Sequence, residues 1–273
     1  MSTWIFLRGL TREARHWGDF PAIFRDTLPD ARVVALDLPG NGELNRLASP
    51  FTVEAYARHV HAELLRRGLA PPYHLLAMSL GAMVAVAWCA HHPREIDACV
   101  LVNTSLRPFS PFFRRLVPVN YLTLATLGLS GDDPARRERA ILRLTSRHAA
   151  SPDEVLGEWI RYRRERPVSA TNALRQLFAA ARFRAPAVAP RPPTLILAGR
   201  RDALVDPRCS HDIARRWQCR LAEHPTAGHD LPLDDGRWVA REVGDWLAST
   251  MAPGAALGTP PAGFLRAAEP PRP

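Results

Sequence analysis

Six short apolar runs punctuate the chain: residues 4–7 (WIFL), 32–37 (RVVALD), 73–77 (YHLLA), 98–103 (ACVLVN), 193–199 (PTLILAG) and 219–224 (CRLAEH). Most lack the alternation of apolar and polar residues that a strand with one wet face shows. They therefore read as strands buried on both faces, as in a parallel sheet. Amphipathic helical patterns lie between them. The clearest is FTVEAYARHVHAELLRRG (residues 51–68), with Thr52 as its cap, Val53, Tyr56, Val60 and Leu64 at helical spacing, and Gly68 as its stop. A last helix is expected in DGRWVAREVGDWLAST, with Trp238, Val239, Val243, Trp246 and Leu247 on one side. Strands alternating with helices predict an α/β fold built on a doubly wound, mostly parallel sheet.

One interval breaks the alternation. From about residue 106 to 188 no strand run occurs, only helix-like, arginine-rich pieces such as PARRERAILRLTSRHAA and SATNALRQLFAAARF. An insertion of this size between two strands reads as a helical cap over the carboxyl edge of the sheet. The expected organisation is a core from residues 1–105 and 186–250, a cap from 106–185, and a Pro-, Gly- and Ala-rich tail from 251–273 that is expected to be disordered. Two apolar pieces, PFSPFFRRLVPV and NYLTLATLGL, suit either an acyl tunnel or the interior of the cap.

Composition narrows the function classes. No apolar run approaches the roughly 18–20 residues of a membrane span. The N-terminal MSTWIFLRGL has neither a cationic leader nor a cleavage site and reads as a first strand, not a signal peptide. Cys89, Cys99, Cys209 and Cys219 form no Cys-x-x-Cys pair, which disfavours zinc or redox chemistry on cysteine and suggests reduced core residues in a cytoplasmic protein. The net charge of +9 comes from 36 arginines, with no lysine, against 27 acidic residues. Residues 105–184 hold 15 arginines against 7 acids, whereas the rest of the chain holds 21 against 20. The positive charge thus sits on the insertion. Its two readings are a solvated helical face and a docking surface for an acidic acyl carrier protein or a coenzyme A thioester. No nucleic-acid motif accompanies it.

In an open parallel sheet, ligands bind outside the carboxyl ends of the strands, so the residues just past each strand matter most. After residues 73–77 comes Met78-Ser79-Leu80-Gly81, followed by an apolar helix that runs to Pro93. Ala77-Met78-Ser79-Leu80-Gly81 differs by one methyl from the Gly-x-Ser-x-Gly elbow, and it has the strand–turn–helix setting that elbow needs. After residues 193–199 comes Asp202, with Asp206 as a rival in the same loop. After residues 219–224 comes His229, with His224 as its rival. A serine activated by a histidine that a carboxylate orients needs these three groups to converge from separate loops. Asn103 occupies the other strand end where an acid could sit, which favours Asp202. Asp202 as a turn residue and His229 as a surface histidine are the structural alternatives. Donors for a developing oxyanion would be the backbone N–H groups of Leu80, after the serine, and Leu10, in the loop that Gly9 lets turn tightly.

On these landmarks the chain resembles the α/β-hydrolase superfamily over about residues 4–248. They are RGL after the first strand, LDLPGNG after the second, AMSLG at the elbow, LAGRRDALVDP at the acid and AGHDLP at the histidine. It is similar to the small capped carboxylesterases of the pimeloyl-[acyl-carrier-protein] methyl ester esterase type. The resemblance implies a sheet of about six strands, the superfamily's usual first two being missing. It also implies a serine esterase or thioesterase working through an acyl-enzyme, with Ser79, Asp202 and His229 catalytic and Leu10 and Leu80 binding the substrate oxyanion. No metal or organic cofactor is needed for that chemistry. Serine at the elbow argues against the epoxide-hydrolase and dehalogenase branches. A lyase or a non-hydrolytic binding protein on the same fold is the alternative. Three departures stand out: Arg8 where relatives carry histidine before the glycine, Asn41 where they carry histidine, and Ala77 for the first elbow glycine. The first two bear on the substrate rather than on the three reacting groups.

Overall fold

All six apolar runs are strands, their ends within two residues of the expected ones. The computed structural model describes residues 1–120 and 133–250, so most of NYLTLATLGL and the 251–273 tail lie outside the described residues. The strands are β1 (Ser2–Leu7), β2 (Ala31–Leu36), β3 (Tyr73–Met78), β4 (Ile96–Val102), β5 (Thr194–Gly199) and β6 (Arg220–His224). They form one sheet in the order β2-β1-β3-β4-β5-β6, and every neighbouring pair is parallel. The chain first lays β2 on one side of β1, then returns to lay β3 on the other. Such a reversal opens a crevice at the carboxyl ends of the two strands it separates, here β1 and β3.

The missing polar alternation has a direct cause. Successive side chains in a strand point to opposite faces, and both faces here are dry. Ile5, Leu7, Leu75, Ala77, Cys99, Leu101 and Ile196 belong to one buried layer. Trp4, Phe6, Leu76, Met78, Val100, Val102, Leu195 and Leu197 belong to the other. The second layer is covered by α1 (Phe20–Thr27) and α8 (Leu231–Thr250), the first by α2 (Val53–Arg66), α3 (Leu80–His91) and α7 (Arg208–Trp217). Within the second layer, the ring of Phe6 lies 5.1 Å from those of both Trp17 and Phe24. Truncating a ring so enclosed costs about 3–5 kcal/mol.

The helices refine the sequence reading. Thr52 stands at the N-cap of α2 with extended backbone, but its hydroxyl makes no capping hydrogen bond. Gly68, at φ +67°, carries the chain off the helix end as expected. Ten consecutive residues of α3, from Leu80 to Cys89, are buried, so this helix is apolar all round and needs cover on every side. The last helix starts earlier than its pattern suggests. Residues from Leu231 form a turn that Asp235 (φ −154°, ψ 77°) separates from the helix proper. Among the described residues, no helix is long and apolar enough to cross a membrane. All four cysteines are free, and burial pushes the thiols of Cys209 and Cys219 up to about 11.

Between β4 and β5 the described residues form a helical turn (Phe112–Arg115) and α4 (Pro134–Thr145), α5 (Pro152–Glu165) and α6 (Ala170–Arg182). Leu142, Leu156, Trp159 and Tyr162 give α4 and α5 a small core of their own. Phe112 and Phe113 are exposed, so neither packs into that core. The insertion is fastened to the loop after β1 by charge and aromatic contacts. Arg12 Nη1 donates to buried Glu138 Oε2 at 2.6 Å, and its guanidinium sits 3.9 Å from the centre of the Trp159 ring. His16 lies edge-on to Trp159 and Tyr162. Several arginines of the basic segment work internally. Arg163 pairs with Glu138, and Arg115 donates to the Ala180 and Ala181 carbonyls.

His16 supplies a pH test of this junction. Its Nδ1 accepts from the Glu13 N–H at 3.1 Å, and the residue is buried. Burial above all, with the nearby Arg12 and Arg8 charges, holds its pKa well below the ordinary 6.5. In acid the unfolded imidazole takes up a proton that the folded one refuses, so this contribution to stability is present above 6.5 and lost as pH falls below it. Urea unfolding across that range should show stability declining toward acid, with a shallower decline in His16→Gln. Equal slopes in the two proteins would contradict the buried, neutral assignment.

Candidate active site

The crevice between β1 and β3 is where the serine lies. Ser79 follows β3 directly and caps α3, with φ +54° and ψ −116°. A β-substituted residue enters that region only when its surroundings impose it. Here they do so by hydrogen bonds and close packing. Ser79 N–H donates to the Val102 carbonyl at 3.0 Å, and its own carbonyl accepts from Ala82 N–H at 3.1 Å and from Thr104 Oγ1 at 3.0 Å. A Cβ at Gly9 would lie 3.0 Å from Ser79 Cβ. A Cβ at Gly81 would lie 2.5 Å from the Leu7 carbonyl oxygen. The loop after β1 therefore passes directly over the start of α3; that approach leaves no room for a side chain at Gly81 and little at Gly9.

Neither the Leu10 nor the Leu80 N–H has an acceptor among the described residues. The loop that carries Leu10 is held from below and above. Thr11, at φ +54°, donates its N–H to Gln176 Oε1 at 2.8 Å. Gln176 Nε2 donates to Asn41 Oδ1 at 2.7 Å, and Asn41 Nδ2 donates to the Arg12 carbonyl at 3.0 Å. Gln176 and Asn41 are both fully buried. Asn41 is thus a structural tie between the β1 loop, the β2 loop and α6.

Asp202 and His229 meet at the ends of β5 and β6. His229 Nδ1 lies 2.7 Å from Asp202 Oδ2, and both side chains are nearly inaccessible. Asp202 Oδ1 accepts from the Leu204 and Val205 N–H groups at 2.8 and 2.9 Å. The carboxylate is acceptor-only, so Nδ1 is the nitrogen that carries a hydrogen toward it. The rivals have other partners. Asp206 accepts from Arg208, whose guanidinium holds that carboxyl below its usual value. His224 Nδ1 accepts from the Ala227 N–H at 2.9 Å, and its ring lies edge-on to Trp238.

No hydrogen bond joins Ser79 Oγ to His229 among the described residues. The two are bridged at one remove, through the end of β4. Asn103 Nδ2 donates to the Gly228 and His229 carbonyls at 2.9 and 2.8 Å, and its Oδ1 accepts from Gly199 N–H at 2.8 Å. Its neighbour Thr104 holds the Ser79 carbonyl. Sequence reasoning assigned Asn103 no positioning role. Its signal was a strand-end residue able to adopt a left-handed backbone, which it does at φ +44°.

Arg8 makes the second bridge. Its Nη1 and Nη2 donate to Asp230 Oδ1 and Oδ2 at 3.0 and 2.6 Å, and Nη1 also reaches Met78 Sδ at 3.4 Å. Its guanidinium lies 4.7 Å from the centre of the Trp17 ring. The pair is buried, with side chains 3% exposed on each side. Arg8 therefore connects the residue before Ser79 to the residue after His229. Burial of an arginine at a strand end demanded an acidic partner, but nothing in the sequence said which acid.

The profile of the alpha/beta hydrolase fold family matches residues 5–236. The chain is 29% identical over 234 residues to polyketide synthase ThaQ of Burkholderia thailandensis, which covers 80% of this chain and 10% of that protein. It is 29% identical over 228 residues to pimeloyl-[acyl-carrier protein] methyl ester esterase of Neisseria meningitidis serogroup A, covering 78% of this chain and 68% of the esterase. The chain thus spans about a tenth of the synthase and two thirds of the esterase. Among solved structures it is similar to a thermophilic esterase from Thermogutta terrifontis, at TM-score 0.69 and 22% identity, covering 90% of this chain and 89% of that one. A hydrolase from Pseudomonas aeruginosa gives TM-score 0.68 and 20% identity, covering 90% and 89%. These structural likenesses show the fold.

Breaking the Arg8–Asp230 pair from one side leaves a buried charge uncompensated. Arg8→Met and Asp230→Ala should each lower unfolding free energy by about 3–5 kcal/mol. The double change Arg8→Met/Asp230→Leu should lose far less than the two together. Denaturant curves for the three variants test this, and single-variant losses below about 1 kcal/mol, the size of an exposed pair, would contradict a buried clamp.

Proposed function

The chain belongs to the α/β-hydrolase fold family, and on that premise we propose that it is a serine hydrolase of carboxylic esters or thioesters. The observation that carries this reading is the buried Asp202–His229 hydrogen bond, at the same carboxyl edge of the sheet where Ser79 is held in a strained conformation. In this reading residues 1–105 and 186–250 form the catalytic core, and residues 106–185 cap its carboxyl edge.

The chemistry proceeds through an acyl-enzyme. Ser79 Oγ attacks the acyl carbon while His229 Nε2 takes its proton, and Asp202 stabilises the imidazolium and fixes its orientation. The negative oxygen that forms is received by the Leu10 and Leu80 N–H groups. Collapse breaks the bond to the alcohol or thiol, which leaves with the proton from His229. Water then attacks the acyl-Ser79 carbonyl, gives its proton to His229, and the acid departs as Ser79 recovers its hydroxyl.

For the substrate we propose an acyl group carried on an acidic partner, an acyl carrier protein or coenzyme A, met in the cytoplasm. The arginine-rich insertion and the named substrate of the Neisseria relative support this. Four free cysteines suit a reducing compartment.

Two measurements test the reading. On p-nitrophenyl esters, Ser79→Ala should lose turnover while remaining folded, Asp202→Asn should lose about 10³–10⁴-fold, and Asp206→Asn should keep wild-type rates. Retained turnover in Ser79→Ala would remove the assignment, and a reversed result for the two aspartates would move the acid role to Asp206. For the carrier, kcat/KM on an acyl-carrier ester should fall steeply with added salt while kcat/KM on a free short-chain ester stays level. Indifference to salt on both substrates would end the carrier proposal and leave the hydrolase standing.

A further inference from the structure

Away from the carboxyl edge, three side chains of metal-ligating type converge where the chain enters β4. His61 lies on α2, His92 caps the C-terminus of α3, and Glu95 is the residue before β4. His61 Nε2 is 3.2 Å from Glu95 Oε1, and His92 Nδ1 is 3.4 Å from the same oxygen. The two imidazoles stack with centroids 4.5 Å apart and planes 28° from parallel. All three ligand atoms lie within 4.8 Å of one another.

Two donors each about 2.0–2.2 Å from an ion in a tetrahedral shell stand roughly 3.3–3.5 Å apart. The two nitrogen–oxygen pairs already have that spacing. The carboxylate is also held in place. Trp88 Nε1 donates to Glu95 Oε2 at 3.1 Å, while Glu95 N–H donates to the His92 carbonyl and Tyr73 N–H to the Glu95 carbonyl. Support of this kind behind a ligand is what keeps a metal-binding carboxylate oriented. The side chains of His61, His92 and Glu95 are 22%, 36% and 22% exposed, so an ion can reach them and retain a water. A cation there also lies at the negative end of the α3 dipole.

We infer that His61, His92 and Glu95 bind a divalent transition-metal ion of the zinc type, with water completing the shell. Two imidazoles and one carboxylate suit zinc, cobalt, nickel or copper rather than magnesium or calcium. The ion takes the place of any proton on the two facing ring nitrogens, so its binding weakens as pH falls. The bound ion ties α2, the end of α3 and the start of β4 together. Its role is to clamp the helix that begins at Ser79, at its far end, and it takes no part in ester cleavage.

The test uses the full chain, free of any affinity tag and stripped with chelator, titrated with zinc chloride by calorimetry and thermal unfolding. One equivalent should bind and raise Tm. His61→Ala, His92→Ala and Glu95→Gln should each weaken binding at least about tenfold and remove the rise. His91→Ala, at the exposed neighbour, should keep both, and magnesium chloride should give neither. Absence of saturable zinc binding by the unaltered chain would overturn the site. So would equal affinity in the three variants, or loss in His91→Ala with retention in His92→Ala.

Discussion

A methyl group at Gly81 would lie 2.5 Å from the Leu7 carbonyl oxygen and 2.6 Å from that of Arg8. The end of β1 is therefore in contact with the first turn of α3, and much else at the carboxyl edge follows from that contact. It brings Gly9 over Ser79. It also explains why the two small flanks of the elbow are unequal. Ala77 lies within β3, paired with Leu7 on one side and Leu101 on the other, and its methyl group belongs to the core. Gly81 faces backbone carbonyls and has no room for one. A motif that reads Ala-x-Ser-x-Gly keeps the glycine the geometry needs and gives up the one it does not.

The other two departures from the family pattern are also packing solutions. Arg8 and Asn41 are buried polar groups, costly unless paired, and each has a specific partner: Asp230 for Arg8, Gln176 for Asn41. Both partnerships tie the β1 loop to a distant part of the chain, one to the histidine loop and one to the insertion. Histidine at position 8 could not make the two-pronged contact with a carboxylate that arginine makes here.

The strands were legible because burial on both faces leaves a mark on every residue of a run. The pairing of Asp202 with His229 was legible because each lies in the loop just past a strand. The rest depended on pairings between positions far apart. Asp230 stands next to His229, yet its partner is 222 positions away. Gln176 is one polar residue on an amphipathic helix until Asn41 and Thr11 are placed against it. The charge of the insertion was legible only as a total, and which of its arginines turn inward was not: Arg163 holds Glu138 and Arg115 the end of α6. The first turn of α8 escaped because Asp235 interrupts it, and the apolar pattern begins only beyond that residue.

These pairings make the insertion and the histidine loop one hydrogen-bonded unit. Asp234 accepts from Gly228 N–H at 2.7 Å, from Ser146 Oγ at 2.5 Å, and from the N–H groups of Arg147 and His148 at 3.0 Å. Asp230 N–H donates to the Thr145 carbonyl at 2.7 Å. The chain leaving α4 is thus clasped on both sides of His229. A Cβ at Gly228 would lie 2.8 Å from the Thr145 oxygen, so the two backbones meet here almost as closely as β1 and α3 do. Displacing this part of the insertion breaks bonds to residues on either side of His229. The position of the imidazole therefore depends on the insertion as well as on Asp202 and Asn103.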